Sequence, residues 1–247
     1  MSKVGKDYII QQYEDGAENY AKYTTNIGLW SSERHVFTQY LSHDDKILDL
    51  GCGAGRTTYG LRKLGYHKLL GVDLTAGMIK KAKMLHSHFA TQVNFEVGDA
   101  TQLKQGDHSF DAVIFSFNGL MSIPRQENRL KAMKEVYRVL KEGGIFIFTT
   151  HDREADTRYL PFWEEEKKKW EEGKQRKDIH DYGDIIVYSE GEGRDIFVHI
   201  TDKAEVTSML KETGFHLIEE FYRPDRFEES DAVKAHSGPC RFWIVKK

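Results

Sequence analysis

The chain has 247 residues, of which 39% are hydrophobic and 30% are charged, a balance typical of a globular protein with a buried core. Its formal net charge of -3 argues against a nucleic-acid-binding protein, because such proteins usually carry a strongly basic surface. Two cysteines, Cys52 and Cys240, are too few for a disulfide framework, and no apolar run is long enough to cross a bilayer, so we expect a cytoplasmic protein without membrane association.

The first 150 residues divide into a polar N-terminal segment and a regular α/β pattern. Residues 1–43 contain scattered aromatic side chains and predict a helical cap with short breaks. Short apolar runs then alternate with helical stretches, which predicts a parallel sheet. The predicted strands are 46–50, 67–73, 93–97, 110–117 and 145–150. The predicted helices are 56–64, 76–88 and 127–140, and we place Gly143 and Gly144 as the stop of the last one.

The chain after residue 150 is less regular. Residues 162–170 predict an exposed helix, with Glu164 and Lys168 four residues apart. A strand at 194–200, a helix at 202–213 and a hairpin-like pair of strands at 215–222 and 240–245 complete the pattern. We expect a doubly wound α/β fold with a mostly parallel seven-stranded sheet and helices on both faces. Its predicted parts are a cap (1–43), a ligand-binding core (44–150), a lid insertion over the carboxyl edge of the sheet (151–193) and the rest of the core sheet (194–247).

A glycine-rich loop follows the first predicted strand and opens the next helix: Asp49-Leu-Gly51-Cys-Gly53-Ala-Gly55-Arg56. Glycines there let the backbone turn tightly and let a ligand approach the main chain. A dinucleotide-binding loop needs glycine or alanine three residues after its second glycine, and that position is Arg56. Asp49 places a carboxylate beside the loop, which suits a cationic sulfonium or amino group better than a pyrophosphate. The loop therefore favours a cationic ligand over a dinucleotide.

Asp73 ends the second predicted strand, about twenty residues after the glycine loop. An acidic side chain at this position can accept hydrogen bonds from both hydroxyls of a ribose. By itself Asp73 would more often be a helix-capping residue. Together with the glycine loop it indicates a nucleoside that lies across the strand ends.

With these motifs the chain resembles the class I S-adenosylmethionine (SAM)-dependent methyltransferases over residues 44–150. Three further stretches carry the resemblance in the family's order and spacing. They are Val97-Gly98-Asp99-Ala100, Phe110-Asp111-Ala-Val-Ile and Glu135-Val-Tyr-Arg138-Val-Leu-Lys-Glu-Gly143-Gly144. The resemblance implies SAM as the cofactor, methyl transfer as the activity, and a first and fourth strand that lie side by side at the binding site.

The resemblance also implies which residues contact the cofactor. The glycine loop would line the methionine part, Asp73 would hold the ribose, and the residues after the fourth strand would face the sulfonium. The N-terminal tyrosines look like the family's entry segment, which often closes over the cofactor, although helix packing explains them equally well. The expected cofactor-contacting residues are Tyr20, Asp49, Gly51, Cys52, Gly53, Gly55, Arg56, Asp73, Leu74, Met78, Asp99, Ala100, Ser116, Phe117 and Asn118.

Acceptor recognition is expected from the N-terminal segment and the insertion, with Tyr13, Tyr159 and Trp163 as candidate acceptor-binding residues. A general base is needed only if the acceptor must lose a proton early. Six side chains could serve: His151, Asp152, Tyr159, His180, His199 and His236. His151 immediately follows the fifth predicted strand and is our candidate. Neither a zinc-type Cys/His spacing nor an acidic calcium loop occurs in the sequence, so we expect no metal.

The sequence therefore predicts a methyltransferase that acts on a small-molecule acceptor by in-line displacement at the sulfonium, as a monomer or homodimer. Two alternatives stay open at this point. One is modification of RNA, such as methylation of a tRNA uridine. The other is SAM binding without methyl transfer.

Overall fold

A computed structural model describes residues 3–117, 119–189 and 193–247. It contains a seven-stranded sheet and a separate two-stranded sheet. The strands are β1 (Lys46–Leu50), β2 (Lys68–Asp73), β3 (Asn94–Val97), β4 (Phe110–Phe115), β5 (Leu140–Thr150), β6 (Asp184–Ser189), β7 (Arg194–His199), β8 (His216–Tyr222) and β9 (Arg241–Lys246). The helices are α1 (Lys6–Asn26), α2 (Ser31–Tyr40), α3 (Arg56–Lys63), α4 (Ala76–Met84), α5 (Gln126–Val139), α6 (Leu160–Glu171), α7 (Lys203–Thr213), α8 (Arg223–Arg226) and α9 (Asp231–His236).

The strand order of the large sheet is β3-β2-β1-β4-β5-β9-β8. Strands β1 to β5 pair with one another in parallel, whereas β9 pairs antiparallel with both β5 and β8. The chain order reverses between β1 and β4, and open α/β sheets bind ligands in the crevice outside such a point. The predicted mostly parallel seven-stranded sheet, with its first and fourth strands adjacent, is confirmed.

Apolar residues cover both faces of the sheet because successive side chains of a strand point to opposite sides. Ile47 and Ile114 belong to a core cluster that includes residues of α2, α3 and α4. Leu48 and Val113 belong to a second cluster, with residues of α5 and α7. The helices therefore bury both faces and leave the ends of the strands as the accessible edge. None of the helices in the described parts of the chain combines the length and apolarity needed to span a bilayer.

Gly143 and Gly144 have a different role from the one predicted. Helix α5 ends at Val139 and β5 begins at once with Leu140, so both glycines lie inside the strand. The N–H of Gly143 donates to the carbonyl of Lys247, and the N–H of Lys247 donates to the carbonyl of Gly144. Gly143 has a φ of +77°, and the pairing register between β4 and β5 shifts nearby. The glycines thus form an irregular strand segment that the C-terminal residue pairs with, rather than a helix stop.

The strand predicted at 194–200 belongs to the separate sheet. Strand β7 pairs antiparallel with β6, a strand that the sequence pattern did not predict. This β6–β7 hairpin packs against α1, where the Gln12 side chain accepts from the N–H of Phe197 over 2.7 Å. Residues before β6 also bind the chain just ahead of α1, since the N–H of Val4 donates to the carbonyl of Asp178 over 2.8 Å. The insertion therefore supports the N-terminal helix.

A buried ionic cluster fixes the hairpin to the helices behind it. The ring nitrogens of His199 lie 2.7 Å from Asp184 Oδ1 and 2.8 Å from Glu205 Oε1. Arg129 lies 2.9 Å from Asp181 and 3.4 Å from Glu205. Asp181, Asp184 and His199 bring possible metal-ligand atoms within 4.8 Å of one another. Arg129 already supplies positive charge there, and both His199 nitrogens face carboxylates, so we interpret the cluster as an ion-pair network.

This cluster predicts a loss of stability in acid. Burial alone would raise the pKa of Asp184, but hydrogen bonds from His199 and from backbone N–H groups outweigh it and lower the pKa. A lowered folded-state pKa contributes stability that is present above the ordinary carboxyl pKa, about 4, and is lost as pH falls further. Asp184→Asn should lower the unfolding free energy at pH 7 by about 2 kcal/mol and flatten its decline below about pH 4. Urea unfolding at a series of pH values measures both effects, and parallel curves for the two proteins would contradict this role.

Candidate functional site

A cavity of about 340 Å³ lies at the carboxyl ends of β1, β2 and β4. The loops that follow these strands form one side of it. Helix α1 forms the cover and contributes lining residues from Lys6 to Thr24. Small-molecule sites usually have about 300–1,000 Å³, so the cavity has the size of a site for a compact ligand.

The loop after β1 presents its backbone to the cavity. Gly51 and Gly53 have φ angles of +64° and +53°, in the left-handed region that favours glycine. A Cβ at Gly51 would stand 2.7 Å from the ring of Phe115, so a larger residue there must displace that ring. The N–H of Gly53 donates to Asp73 Oδ2 over 2.9 Å and ties the loop to the end of β2. A ligand can therefore approach the main chain at this turn.

Asp73 lines the cavity at the carboxyl end of β2. Its Oδ1 accepts from the N–H of Thr75 over 2.9 Å, and its Oδ2 accepts from Gly53. Burial raises the pKa of Asp73, and these backbone donors offset part of the rise. Each carboxylate oxygen has more than one lone pair, so both can accept a further hydrogen bond. This is the arrangement that two neighbouring ribose hydroxyls require.

The loops after β2 and β3 bring together the residues expected around the adenine. Lys6 of α1 also reaches this end of the cavity, with its Nζ 2.7 Å from Asp99 Oδ2. Burial alone would raise the pKa of Asp99, but hydrogen bonds from Lys6 and Thr101 outweigh it and lower the pKa. The ion pair therefore connects the first turn of α1 to the loop after β3. The expected residues that line this end are Leu74, Met78, Asp99 and Ala100.

The other end of the cavity is walled by rings, and we call Tyr20, Tyr23, Phe117 and His236 the aromatic chamber. The ring of Tyr20 stands edge-on to those of Tyr13 and Tyr23, with centroid distances of 5.8 and 5.9 Å. His236 lies 3.8 Å from Tyr23 and 4.7 Å from Phe117, measured between ring centroids. Tyr13 also lines the cavity, and its hydroxyl lies 2.5 Å from Ser122 Oγ.

Two more predicted residues line the cavity between these ends. Ser116 follows β4, and its Oγ lies 3.1 Å from Thr57 Oγ1. Cys52 also lines the cavity, and burial raises the pKa of its thiol well above the ordinary value, which suits a packing residue rather than a nucleophile. Asn118, predicted beside them, lies outside the described residues.

Three residues predicted at the cofactor have other partners. Asp49 is only 2% exposed, accepts from Thr58 Oγ1 over 2.5 Å, and is not among the described residues that line the cavity. Burial raises the pKa of Asp49 to about 7. Gly55 lies outside the described lining too, since it is the buried N-cap of α3 and packs against the rings of Phe95 and Tyr59. Arg56 reaches the cavity, but its guanidinium is bound by Glu33, with two N–O distances of 2.6 Å.

His151, Tyr159 and Trp163 lie elsewhere in the described structure. His151 is held beneath the C-terminal loop, with its Nδ1 2.7 Å from the carbonyl of Pro239, and burial lowers its pKa. Tyr159 is 56% exposed, whereas Trp163 is 7% exposed and stands edge-on to Tyr182. The physical reason is that the insertion packs its hairpin against α1, while α6, which holds Trp163, contributes no described lining residue.

His236 is the histidine that the structure places on the cavity. Sequence reasoning included it among six candidate bases and preferred His151. A topological signal could have found it: β9 runs antiparallel to β5, so the loop before β9 lies at the carboxyl edge of the sheet. Helix α9 is in that loop and ends at His236.

The residues at the cavity fit SAM. The turn at Gly51 and Gly53 exposes main chain, and Asp73 keeps acceptor capacity at the end of β2. A further carboxylate, Asp99, lies at the end expected for the adenine. These features and the strand order are those of a class I, Rossmann-like SAM-dependent methyltransferase, for which SAM is the methyl donor.

The chain belongs to the family described as "Methyltransferase domain", whose sequence model matches residues 41–214. It is 29% identical over 152 residues to a demethylmenaquinone methyltransferase from Symbiobacterium thermophilum, and the match spans 58% of each chain. It is 30% identical over 216 residues to the uncharacterized protein MJ1252 from Methanocaldococcus jannaschii, over 86% of this chain and 78% of that one. A SAM-dependent methyltransferase structure from Methanosarcina mazei shares the fold, with a TM-score of 0.69 at 22% identity, over 90% of this chain and 99% of that one.

Proposed function

We propose that the protein transfers the methyl group of SAM to a small-molecule acceptor by in-line displacement, and that the acceptor binds in the aromatic chamber. The observation that carries the proposal is the position of this chamber. It continues the cofactor cavity beyond the glycine loop and lies beneath α1. A covered space walled by rings suits a compact acceptor, whereas an RNA strand requires an open and basic groove.

SAM supplies an electrophilic methyl group on a sulfonium. The protein's part is to hold the acceptor atom in line with that methyl group and to exclude water, which can supply much of the rate. Tyr20 and Tyr23 from α1 and Phe117 from the loop after β4 offer flat apolar surfaces for this purpose. The relative named as a demethylmenaquinone methyltransferase agrees with a small acceptor for this chain too.

In this proposal α1 covers the acceptor site, and the insertion supports α1. Residues ahead of β6 bind Val4, just before α1, and β7 binds Gln12 of α1. Tyr159 and Trp163, by contrast, lie away from the cavity. Specificity should therefore depend on α1 side chains and on the loop before β9 more than on α6.

Labelled SAM tests this proposal directly. The purified protein is incubated with methyl-labelled SAM and either a small-metabolite extract or total tRNA, and S-adenosylhomocysteine is measured in parallel. We expect label in the metabolite fraction and only weak tRNA binding that falls steeply with salt. Label in tRNA alone would support RNA modification instead. SAM binding without S-adenosylhomocysteine in any pool would support a protein that binds SAM without methyl transfer.

A further inference from the structure

His236 is held at the cavity by contacts from two other parts of the fold. It ends α9, and its ring packs on Tyr23 of α1 and on Phe117 after β4, at centroid distances of 3.8 and 4.7 Å. It is the one histidine among the described residues that line the cavity. The imidazole is therefore positioned against the surfaces that would hold an acceptor.

The nitrogens of this ring are available to a ligand. Within residues 3–117, 119–189 and 193–247, neither nitrogen of His236 has a hydrogen-bond partner. Burial, and then the positive charge of Arg56, lower the pKa of His236 to about 4. The ring is thus neutral at physiological pH, and a neutral imidazole has one nitrogen that can accept a proton.

The charges around the chamber select the kind of acceptor. Arg56 is the cation that faces His236, and its guanidinium also lies 5.7 Å from the centroid of the Phe117 ring. Aromatic walls alone would attract an ammonium group. Here the guanidinium, paired with Glu33, already lies over one of those rings, and the sulfonium of SAM brings an unpaired positive charge into the same cavity. An ammonium acceptor is therefore disfavoured, and a neutral planar molecule is favoured.

We propose that His236 is the general base for methylation of a hydroxyl group on a planar ring, such as a phenol, bound in the aromatic chamber. This assignment rests on the proposed function and adds to it the acceptor class and the residue that takes the proton. Tyr20, Tyr23 and Phe117 would stack on the ring of the acceptor. The hydroxyl would then point to the free nitrogen of His236.

The atoms and charges of the step balance. The acceptor oxygen forms a bond to the methyl carbon while the carbon–sulfur bond breaks, and its electron pair stays on sulfur. The hydroxyl proton moves to the free nitrogen of His236 while the new bond forms, because the oxygen becomes strongly acidic as it is methylated. The products are a methyl ether, S-adenosylhomocysteine and an imidazolium, which returns its proton to water. The low basicity of His236 favours that return.

A binding experiment tests the acceptor class without turnover. The protein is saturated with S-adenosylhomocysteine, and 2-naphthol or 2-naphthylmethylamine is titrated at pH 7.5 while the His236 ring proton signals are followed by NMR. The amine titration is repeated with SAM in place of S-adenosylhomocysteine, where the added sulfonium charge should weaken amine binding further. The two probes share one ring system, but the second is an ammonium at this pH. We expect 2-naphthol to shift the His236 signals and to bind at least about tenfold more tightly, a difference of about 1.4 kcal/mol. Equal binding, tighter binding of the amine or unshifted His236 signals would overturn the proposal.

A kinetic experiment separates a base from a structural residue. His236→Phe keeps a ring against Tyr23 but removes the nitrogens, and His216→Phe places the same change at an exposed position on β8. General-base catalysis contributes about 10²–10⁴-fold, so we expect kcat for 2-naphthol or the native acceptor to fall at least about 100-fold in His236→Phe. His216→Phe should keep the wild-type rate. SAM affinity should be unchanged in both variants.

The pH profile gives a signature that loss of packing would not produce. Wild-type turnover should be flat from about pH 6 to pH 8, because the base form of His236 is already present. In His236→Phe the rate should rise about tenfold per pH unit toward the ionisation of a phenol near pH 10, since the phenolate needs no base. If His236→Phe turns over at the wild-type rate, or at a uniformly low rate without this rise, His236 is not the base. The proposed function fails separately, if wild-type protein methylates no small molecule in the extract.

Discussion

Replacing Asp73 with alanine should weaken SAM binding by roughly 100-fold, because a hydrogen bond to a charged group is worth about 1.5–3 kcal/mol and more than one is lost. The carboxylate lies at the end of β2 and has acceptor capacity left for two ribose hydroxyls. It also accepts from the N–H of Gly53 and Thr75, so the variant leaves two backbone donors without this partner. The glycine loop should therefore loosen as well.

Isothermal titration calorimetry with SAM and S-adenosylhomocysteine measures this effect. Asp73→Asn keeps the shape and one acceptor oxygen, and should show an intermediate loss. Asp111→Ala is the matched control, since Asp111 lies at the opposite end of the sheet, at the start of β4, with an ion pair to Lys141. Its SAM affinity should equal that of the wild type. A folded Asp73→Ala protein with wild-type affinity would exclude the ribose-binding role.

The elements that the sequence predicted well are those whose signal is local. The apolar run at Lys46–Leu50, the glycines after it and Asp73 at the end of β2 each form a pattern within a few residues. Burial on both faces makes such strands continuous apolar runs, so their positions follow from the sequence alone. The helix end at Val139 lies within one residue of the prediction, but the role of the two glycines was missed because they pair with Lys247, which is distant in the sequence.

The parts of the site that were not predicted depend on long-range contacts. His236 approaches Phe117 only because β9 returns antiparallel beside β5. The residues next to His236 in the sequence give no sign of this strand pairing. Strand β6 does contain an apolar run, Ile185-Ile-Val187, but it lies within the stretch that was assigned as a whole to the insertion, and its partner strand β7 was assigned to the core sheet. Arg56 was expected at the cofactor because it follows the glycine loop. Its partner, Glu33, lies 23 residues earlier, in α2.

That partner makes Glu33 a residue on which folding should depend. Glu33 is fully buried, and both of its oxygens accept from the Arg56 guanidinium over 2.6 Å. Glu33 Oε2 also accepts from the N–H of Trp30 over 3.0 Å, and Arg56 lies over the Trp30 ring. Burial alone would lower the pKa of Arg56, but Glu33 and other acidic groups outweigh it and raise the pKa. Arg56 therefore stays charged inside the fold.

Glu33→Ala should lower the unfolding free energy by about 3–5 kcal/mol, because removing one partner leaves a buried charge uncompensated. The melting temperature of a chain of this size should fall by roughly 10 °C, at about 2–4 °C per kcal/mol. Glu212→Ala is the control: Glu212 pairs with Lys134 over 3.0 Å, and both side chains are more than half exposed. Surface pairs contribute about 0–1 kcal/mol, so this variant should melt close to the wild type.

The double variant Glu33→Leu with Arg56→Met shows whether the loss of stability in Glu33→Ala comes from the unpaired Arg56 charge or from lost packing. Replacing both members of a buried ion pair with apolar residues of similar volume is often neutral or stabilising. The double variant should therefore be more stable than Glu33→Ala, although it lacks both charges. Thermal and urea unfolding of all four proteins measure this difference. Two results would contradict this role of Glu33. One is a double variant that is no more stable than Glu33→Ala, and the other is a Glu33→Ala protein with the same melting temperature as Glu212→Ala. Either would mean that Glu33 does not hold the Arg56 charge in the way the 2.6 Å contacts imply.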